Sequence, residues 1–420
     1  MGSIKNYLVL KYKSANWAIA DQAMVSGTNF LTGVLIAKYL GLEEFGRFSL
    51  IWMVITLFSG IQHALITAPM LSVAPKYLKK TSQFYWGAVL IQQFLWVVVS
   101  SIFLFSVMLL VNFVVPNWEL QDLILPVTLT LIAFQVQDFF RRYFFALSKP
   151  HLAFLNDVIS YIGQIAVLLI LFFNSVPKTQ YVLWVITITS ILASMVAFFN
   201  VNRFKVSSKF TRNIVWQHWK LSKWLLGSVL LQWTSGMNFF LMVSGYILGP
   251  IAVGALRSAQ NIVGLINIIF MAMENFVPSK ASSVFSSGGK EALVEYLKHV
   301  AISGTVITVF IALVFGVFSD FWMELLYGSE FAKYAFLVQW LGLIYVLVFP
   351  TLPLGAGLKA LEKTRSIFMS QFWMSSFSIV TAFPLLNVFG LYGYVIGVIC
   401  VRVGILWILI LDFKRRIQDC

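Results

Sequence analysis

Continuous apolar runs of roughly 20 residues recur along the whole 420-residue chain, and a run of that length crosses a ~30 Å hydrocarbon core as a helix. No other feature leaves the chain so few options. Hydrocarbon gives backbone amides no partner, so only helices or a closed barrel can span it. Barrel strands alternate apolar and polar residues, and these runs do not. Hydrophobic residues make up 60% of the sequence and charged ones 11%, against about one half and one quarter in soluble domains. The expected fold is therefore an all-α polytopic membrane protein with about 12 spans, half of them between residues 15 and 201 and half between 223 and 412.

The two halves repeat one another. Ser26-Gly27-Thr28-Asn29-Phe30, followed by Leu40-Gly41 and Gly46, reappears as Ser235-Gly236-Met237-Asn238-Phe239, followed by Leu248-Gly249 and Gly254. Pro69 matches Pro278, and Ala146-Leu147-Ser148-Lys149 matches Ala360-Leu361-Glu362-Lys363. Repeated helical halves mark transporters, whose substrate sites lie where the repeats meet; duplication for stability alone is the alternative. The expected division is an N-lobe at 1–202, a cytoplasmic or interfacial linker at 203–222 and a C-lobe at 223–420.

Charge sets the expected orientation. With both termini cytoplasmic, about 24 of the 30 Lys and Arg residues fall on the cytoplasmic side, as the positive-inside rule requires. Among them are Lys5, Lys11, Lys13, Lys76, Lys80, Lys149, Lys290 and Arg415. The opposite loops carry Glu43, Glu44, Glu119, Asp320, Glu324 and Glu330. This loop bias explains the net charge of +14 without nucleic acid. The linker is basic and rich in tryptophan, which suits an interfacial helix or, alternatively, a lipid-headgroup docking surface. Ser286-Ser287-Gly288-Gly289-Lys290 reads as a flexible turn before an amphipathic helix, and Pro350 and Pro353 should bend the tenth span.

Catalytic signals are missing. The four histidines are scattered without metal-ligand spacing, and Gly288-Gly289-Lys290 lacks the order of a phosphate-binding loop. No nucleophile elbow or paired-carboxylate motif occurs in a plausible context. The expectation is a protein that is not an enzyme and needs no cofactor or metal.

Several of these motifs together resemble a known family. Asn29-Phe30, Leu40-Gly41-Leu42-Glu43-Glu44-Phe45-Gly46, Ala68-Pro69, Ala146-Leu147-Ser148-Lys149-Pro150 and Gly390-Leu391-Tyr392-Gly393 look like polysaccharide flippases. These are the O-antigen and capsule exporters of the multidrug/oligosaccharidyl-lipid/polysaccharide superfamily. The resemblance covers essentially the whole chain, although its motifs are degenerate glycine patterns and the sixth span lacks the glycine-rich opening of the twelfth. It implies two six-helix lobes in the bacterial inner membrane. It also implies alternating-access movement of an undecaprenyl-diphosphate-linked oligosaccharide to the outer leaflet, beside membrane lipids, a polysaccharide polymerase and chain-length machinery. A cation-coupled multidrug exporter of the same superfamily is the alternative, and a membrane glycosyltransferase or polymerase a more distant one.

Charges inside spans each cost about 2.5–3.5 kcal/mol on insertion scales, so each calls for an explanation. Asp138, Arg141 and Arg142 lie at i, i+3 and i+4 and can neutralise one another. Asp21, Asp157 and Glu274 sit near cytoplasmic helix ends. They either pair locally with basic loop residues or form an acidic cluster that couples transport to a proton or sodium ion. Arg402 lies near the middle of the last span, where it either binds a substrate diphosphate or pairs with Asp21, Asp157 or Glu274. Asn29 and Asn238, with Gln22 and Gln232, offer amides to a sugar or to helix packing. Arg257 completes the substrate-binding candidates.

Overall fold

A computed structural model describes residues 2–77, 79–114, 120–174, 178–201, 203–363 and 365–418. The side chains of Lys5, Lys11, Lys13 and Lys80, and the whole of Glu119, lie outside the described residues. Among the described residues all regular structure is helical: α1 (Gly2–Gln62), α2 (Ala68–Val73), α3 (Lys79–Val114), α4 (Gln121–Ala146), α5 (Pro150–Asp157), α6 (Gly163–Asn174), α7 (Thr179–Phe198), α8 (Ser208–Thr234) and α9 (Met237–Leu248). There follow α10 (Pro250–Val263), α11 (Asn267–Val317), α12 (Ser319–Tyr327), α13 (Ser329–Ala332), α14 (Phe336–Val348), α15 (Thr351–Ala360) and α16 (Arg365–Gln418).

Eight continuous helical stretches are long and apolar enough to cross a membrane, and the bent pair α8–α9 makes a ninth. Three of the eight break once, at Gly41, Gly289 and Gly390. Each of these holds two spans, which brings the total to the expected 12. The chain divides into two compact units. One comprises Met1–Leu40 and Ile51–Val229, the other Gly41–Leu50 and Leu230–Cys420.

The repeat is visible in backbone conformation as well as sequence. Gly41 has φ 74° and ψ 179°, and Gly249 has φ 84° and ψ 178°, a left-handed region that side chains disfavour. Each ends one helix and starts the next. Five residues on, the segments cross. A Cβ on Gly46 would lie 1.8 Å from the Pro250 carbonyl oxygen, and one on Gly254 would lie 2.2 Å from that of Leu42. The crossing therefore excludes any side chain at either position. The third landmark repeats too: Ser148 and Glu362 share φ of 55° and 58°. Around them Lys149 N–H donates to Phe144 and Lys363 N–H to Leu358, the matching bonds of a Schellman helix end.

In the first unit α4 is the buried axis, packed against α3, α5 and α7. Tyr85, Trp86, Phe139, Tyr143 and Phe144 form its aromatic core. In the second unit α11 packs on α14 and α15, and α16 on α9, α14 and α15. The tenth span is interrupted between Val348 and Thr351, at Pro350, as its prolines require.

The turn expected at Ser286 to Lys290 is a single-residue break: α11 is helical up to Gly289, whose φ of 70° separates two helices. The Ser286 and Ser287 hydroxyls donate to the carbonyls of Ser282 and Ser283 and hold that helical turn. Residues 203–222 lead into α8, which starts at Ser208 and continues without a break to Thr234. Its Ile214, His218 and Ser222 are buried at four-residue spacing, which puts one face against the first unit.

Candidate functional site

The first unit assembles a buried ionic centre from three helices. Arg141, near the end of α4, donates through Nη2 to Asp21 Oδ2 on α1 at 2.7 Å. Its Nε donates to Asp157 Oδ2 at the end of α5 at 2.5 Å. Gln137, one turn earlier on α4, donates to the other Asp157 oxygen at 2.9 Å. The side chains of Asp21 and Asp157 are 1% and 0% exposed, so one guanidinium serves two carboxylates away from solvent. Asp21 Oδ1 has no partner among the described residues. With both acids ionised the centre carries one excess negative charge, which a proton or a monovalent cation would neutralise. The expected self-neutralisation of Asp138, Arg141 and Arg142 holds only for Arg142, which pairs with Asp138 at 2.9 Å. Arg141 turns to the neighbouring helices instead.

The second unit builds the opposite kind of centre. Arg257, on the second turn of α10, donates to Gln260 Oε1 at 3.2 Å, and Gln260 Nε2 donates to the Tyr394 hydroxyl at 2.7 Å. Arg402, two turns further along α16 than Tyr394, shares Tyr345 and Tyr394 with Arg257 as electrostatic neighbours. Asn267 donates to the Tyr345 hydroxyl at 3.1 Å. Neither arginine forms an ion pair among the described residues, and Arg402 Nε is buried without any acceptor. The carboxylates proposed as structural partners for Arg402 are otherwise placed. Asp21 and Asp157 are held by Arg141, and Glu274 is exposed on α11. Two permanent cations are thus set among phenols and amides, with no carboxylate partner among the described residues.

The family model described as polysaccharide biosynthesis protein matches residues 12–281, more than half of the chain. The chain belongs to that family. A second model, MatE, matches residues 225–384. A multidrug resistance MATE family transporter of the MOP superfamily in an inward-facing conformation is 14% identical, with a TM-score of 0.71 over 93% of this chain and 94% of that one. A MOP superfamily transporter from Pyrococcus furiosus, described as having a binding pocket of reverse polarity, is 16% identical, with a TM-score of 0.64 over 96% and 94%. The lipid II flippase MurJ in an inward closed conformation is 13% identical, with a TM-score of 0.65 over 95% and 87%. No curated protein matches the chain significantly. At these identities the structures share the fold: two lobes of about 12 membrane helices. The protein is thus a multi-pass membrane protein of the polysaccharide biosynthesis family.

The other candidates in this polysaccharide-family protein fall as follows. Gln22 and Asn29 are exposed on α1, where Gln22 donates to Ser26 at 3.3 Å. Gln232 is exposed and Asn238 half-buried, on either side of the 51° bend between α8 and α9. The bend falls on the repeated motif, at Ser235-Gly236, whereas its counterpart Ser26-Gly27 runs through a continuous helix. Ser375 donates to the Leu231 carbonyl at 2.9 Å, and Ser235 donates to Gln371. The Leu231 carbonyl also accepts the Ser235 N–H at 2.8 Å, so it carries two bonds at the bend. The sequence reading missed Gln137, Gln260, Asn267, Tyr345 and Tyr394. The last two were hidden among 15 tyrosines, and only the fold separates them from interfacial ones. Gln260, at i+3 from Arg257 on one helix, was the one findable signal.

Proposed function

We propose that this protein is an alternating-access flippase that carries an undecaprenyl-diphosphate-linked oligosaccharide, a repeat unit of O-antigen, capsule or exopolysaccharide, across the bacterial inner membrane. Movement runs from inner to outer leaflet, with both termini cytoplasmic. The observation that carries the reading is the Arg257–Arg402 centre. A diphosphate brings the negative charge that two unpaired guanidinium groups lack, and their forked donors suit phosphate oxygens. The hydroxyls of Tyr345 and Tyr394, which accept from Asn267 and Gln260, keep their own protons to donate. Asn29, Asn238, Gln22 and Gln232 supply amides for sugar hydroxyls.

The Asp21–Arg141–Asp157 centre supports coupling to a proton or sodium ion. A cation bound there cancels the excess charge and favours the conformation in which the acids stay buried; its release favours the other. Glu274, exposed and without an ion pair among the described residues, is the weakest of the ion-coupling candidates. A cation-coupled multidrug exporter would use the same acidic centre. An organic cation would be repelled by Arg257 and Arg402, however, and this favours the anionic cargo. A polymerase and chain-length machinery would take up the flipped repeat units.

The test is export of surface polysaccharide by Arg402 and Arg257 variants at measured protein abundance. Charge-assisted hydrogen bonds contribute roughly 1.5–3 kcal/mol, about a tenfold to hundredfold loss in export for Arg402→Ala or Arg257→Ala. Arg402→Lys keeps the charge and should retain part of the activity. Full export by Arg402→Ala at normal abundance would remove the diphosphate site.

A further inference from the structure

The first unit carries an open groove that neither ionic centre uses. It lies between the N-terminal half of α8 and the middle of α3, and has a volume of about 840 Å³. That is within the ~300–1,000 Å³ typical of ligand sites. Leu95, Val99, Trp216 and Trp219 line its length and are substantially exposed, and Arg212 stands at one end.

The groove exists because α8 is held in place beside α3. His218, 1% exposed, bonds through its two ring nitrogens to Gln92 at 3.0 Å and to the Tyr85 hydroxyl at 3.2 Å. Ser222 donates to the Leu65 carbonyl at 3.0 Å, and the Tyr77 hydroxyl to Gln217 at 2.8 Å. With this face docked, the tryptophans of α8 stand out beside α3 rather than against it.

The charge around the groove has one sign. No Asp or Glu occurs between Asp157 and Glu274, while Arg203, Lys205, Lys209, Arg212, Lys220 and Lys223 all fall in that interval. Lys220 and Lys223 lie over the Trp216 and Trp224 rings at 5.9 and 5.5 Å, which leaves their ammonium groups beside an aromatic, interfacial surface. Arg212 forms no ion pair among the described residues.

We infer that this groove binds one anionic phospholipid, with its phosphate on Arg212 and an acyl chain along Leu95, Val99, Trp216 and Trp219. An apolar channel open to the bilayer with a cationic end matches an amphiphile of that charge. A bound lipid would fix α8, which continues directly into the bent seventh span, so bilayer composition would reach the moving parts of the transporter through this helix.

Native mass spectrometry of the full-length protein, released from nanodiscs of phosphatidylglycerol and phosphatidylcholine, tests the inference. The wild type should retain phosphatidylglycerol selectively. Arg212→Ala should lower its retention about fivefold, the effect of one arginine near anionic headgroups. Val99→Trp, at an exposed position, should fill the channel and lower retention without changing charge, whereas Lys290→Ala on α11 should retain as much as wild type. Equal retention by all variants, or equal retention of the two lipids, would overturn the proposal. Displacement of phosphatidylglycerol by stoichiometric undecaprenyl phosphate would overturn it as well, because the groove would then be a polyprenyl site.

Discussion

Replacing Arg141 with leucine should destabilise the protein more than any other single loss of charge in the first unit. The substitution keeps an apolar side chain in the space but removes two charge-assisted hydrogen bonds, to Asp21 and to Asp157. At roughly 1.5–3 kcal/mol each, these bonds alone account for about 3–6 kcal/mol. An independent route gives the same range: breaking a buried ion pair from one side costs about 3–5 kcal/mol, because the abandoned charge stays buried. Here two carboxylates are abandoned, at 1% and 0% exposure. Adding Asp157→Asn to Arg141→Leu removes one of them and should recover a large part of the loss, since Gln137 can still bond to the amide. The assay is the apparent melting midpoint of purified protein in detergent, read by fluorescence-detected size exclusion, with the double-mutant cycle extracting the coupling. Arg142→Leu breaks a more exposed pair within one helix and should cost well under half as much. If Arg141→Leu melts within about 1 kcal/mol of wild type, or the double variant is no more stable than the single, the centre is not held together by charge as argued.

Three further outcomes are expected. Gly46→Val and Gly254→Val each place atoms where a Cβ already lies 1.8 or 2.2 Å from backbone oxygen, so folded protein should fall several-fold in a membrane-fraction blot, whereas Gly27→Ala, with open space around it, should be near neutral. Reporter fusions after Lys80, Lys149, Phe210 and Lys290 should all signal a cytoplasmic location, and two periplasmic signals would invert the proposed topology. Asn29→Leu and Asn238→Leu should each impair polysaccharide export while membrane insertion stays normal, and unimpaired export by the double variant would remove both from the site.

Much of the fold was legible because the bilayer simplifies the problem. A run of apolar residues has one stable answer in hydrocarbon, and the glycines that break or cross helices declared themselves by recurring. Leu40-Gly41 and Leu248-Gly249 share sequence and backbone geometry alike. The same logic failed at Ser26-Gly27 and Ser235-Gly236, where one motif is straight in one half and bent in the other. Their surroundings differ: Ser375 and Gln371, more than 130 residues downstream, bond to Leu231 and Ser235 at the bend. Spacing sees only partners on the same helix. It therefore found Asp138 with Arg142 and assigned Arg141 to the same group, although Arg141 spends its donors on α1 and α5. Asp21, Asp157, Arg257 and Arg402 were each conspicuous as charges in apolar runs. The division into a centre with excess negative charge and one with excess positive charge appeared only with the packing of the helices within each unit.

Lipid-linked intermediates in a strain lacking this protein provide the most direct test of the account. With the glycosyltransferases intact, undecaprenyl-diphosphate-linked repeat units should still be made and should accumulate on the inner leaflet, protected from an enzyme added to the outer face of spheroplasts. Restoring the wild-type gene should make them accessible, and restoring Arg402→Ala should not. If the intermediates never form, or if they reach the outer leaflet as readily without the protein, the cargo is not a lipid-linked oligosaccharide and the central claim is wrong.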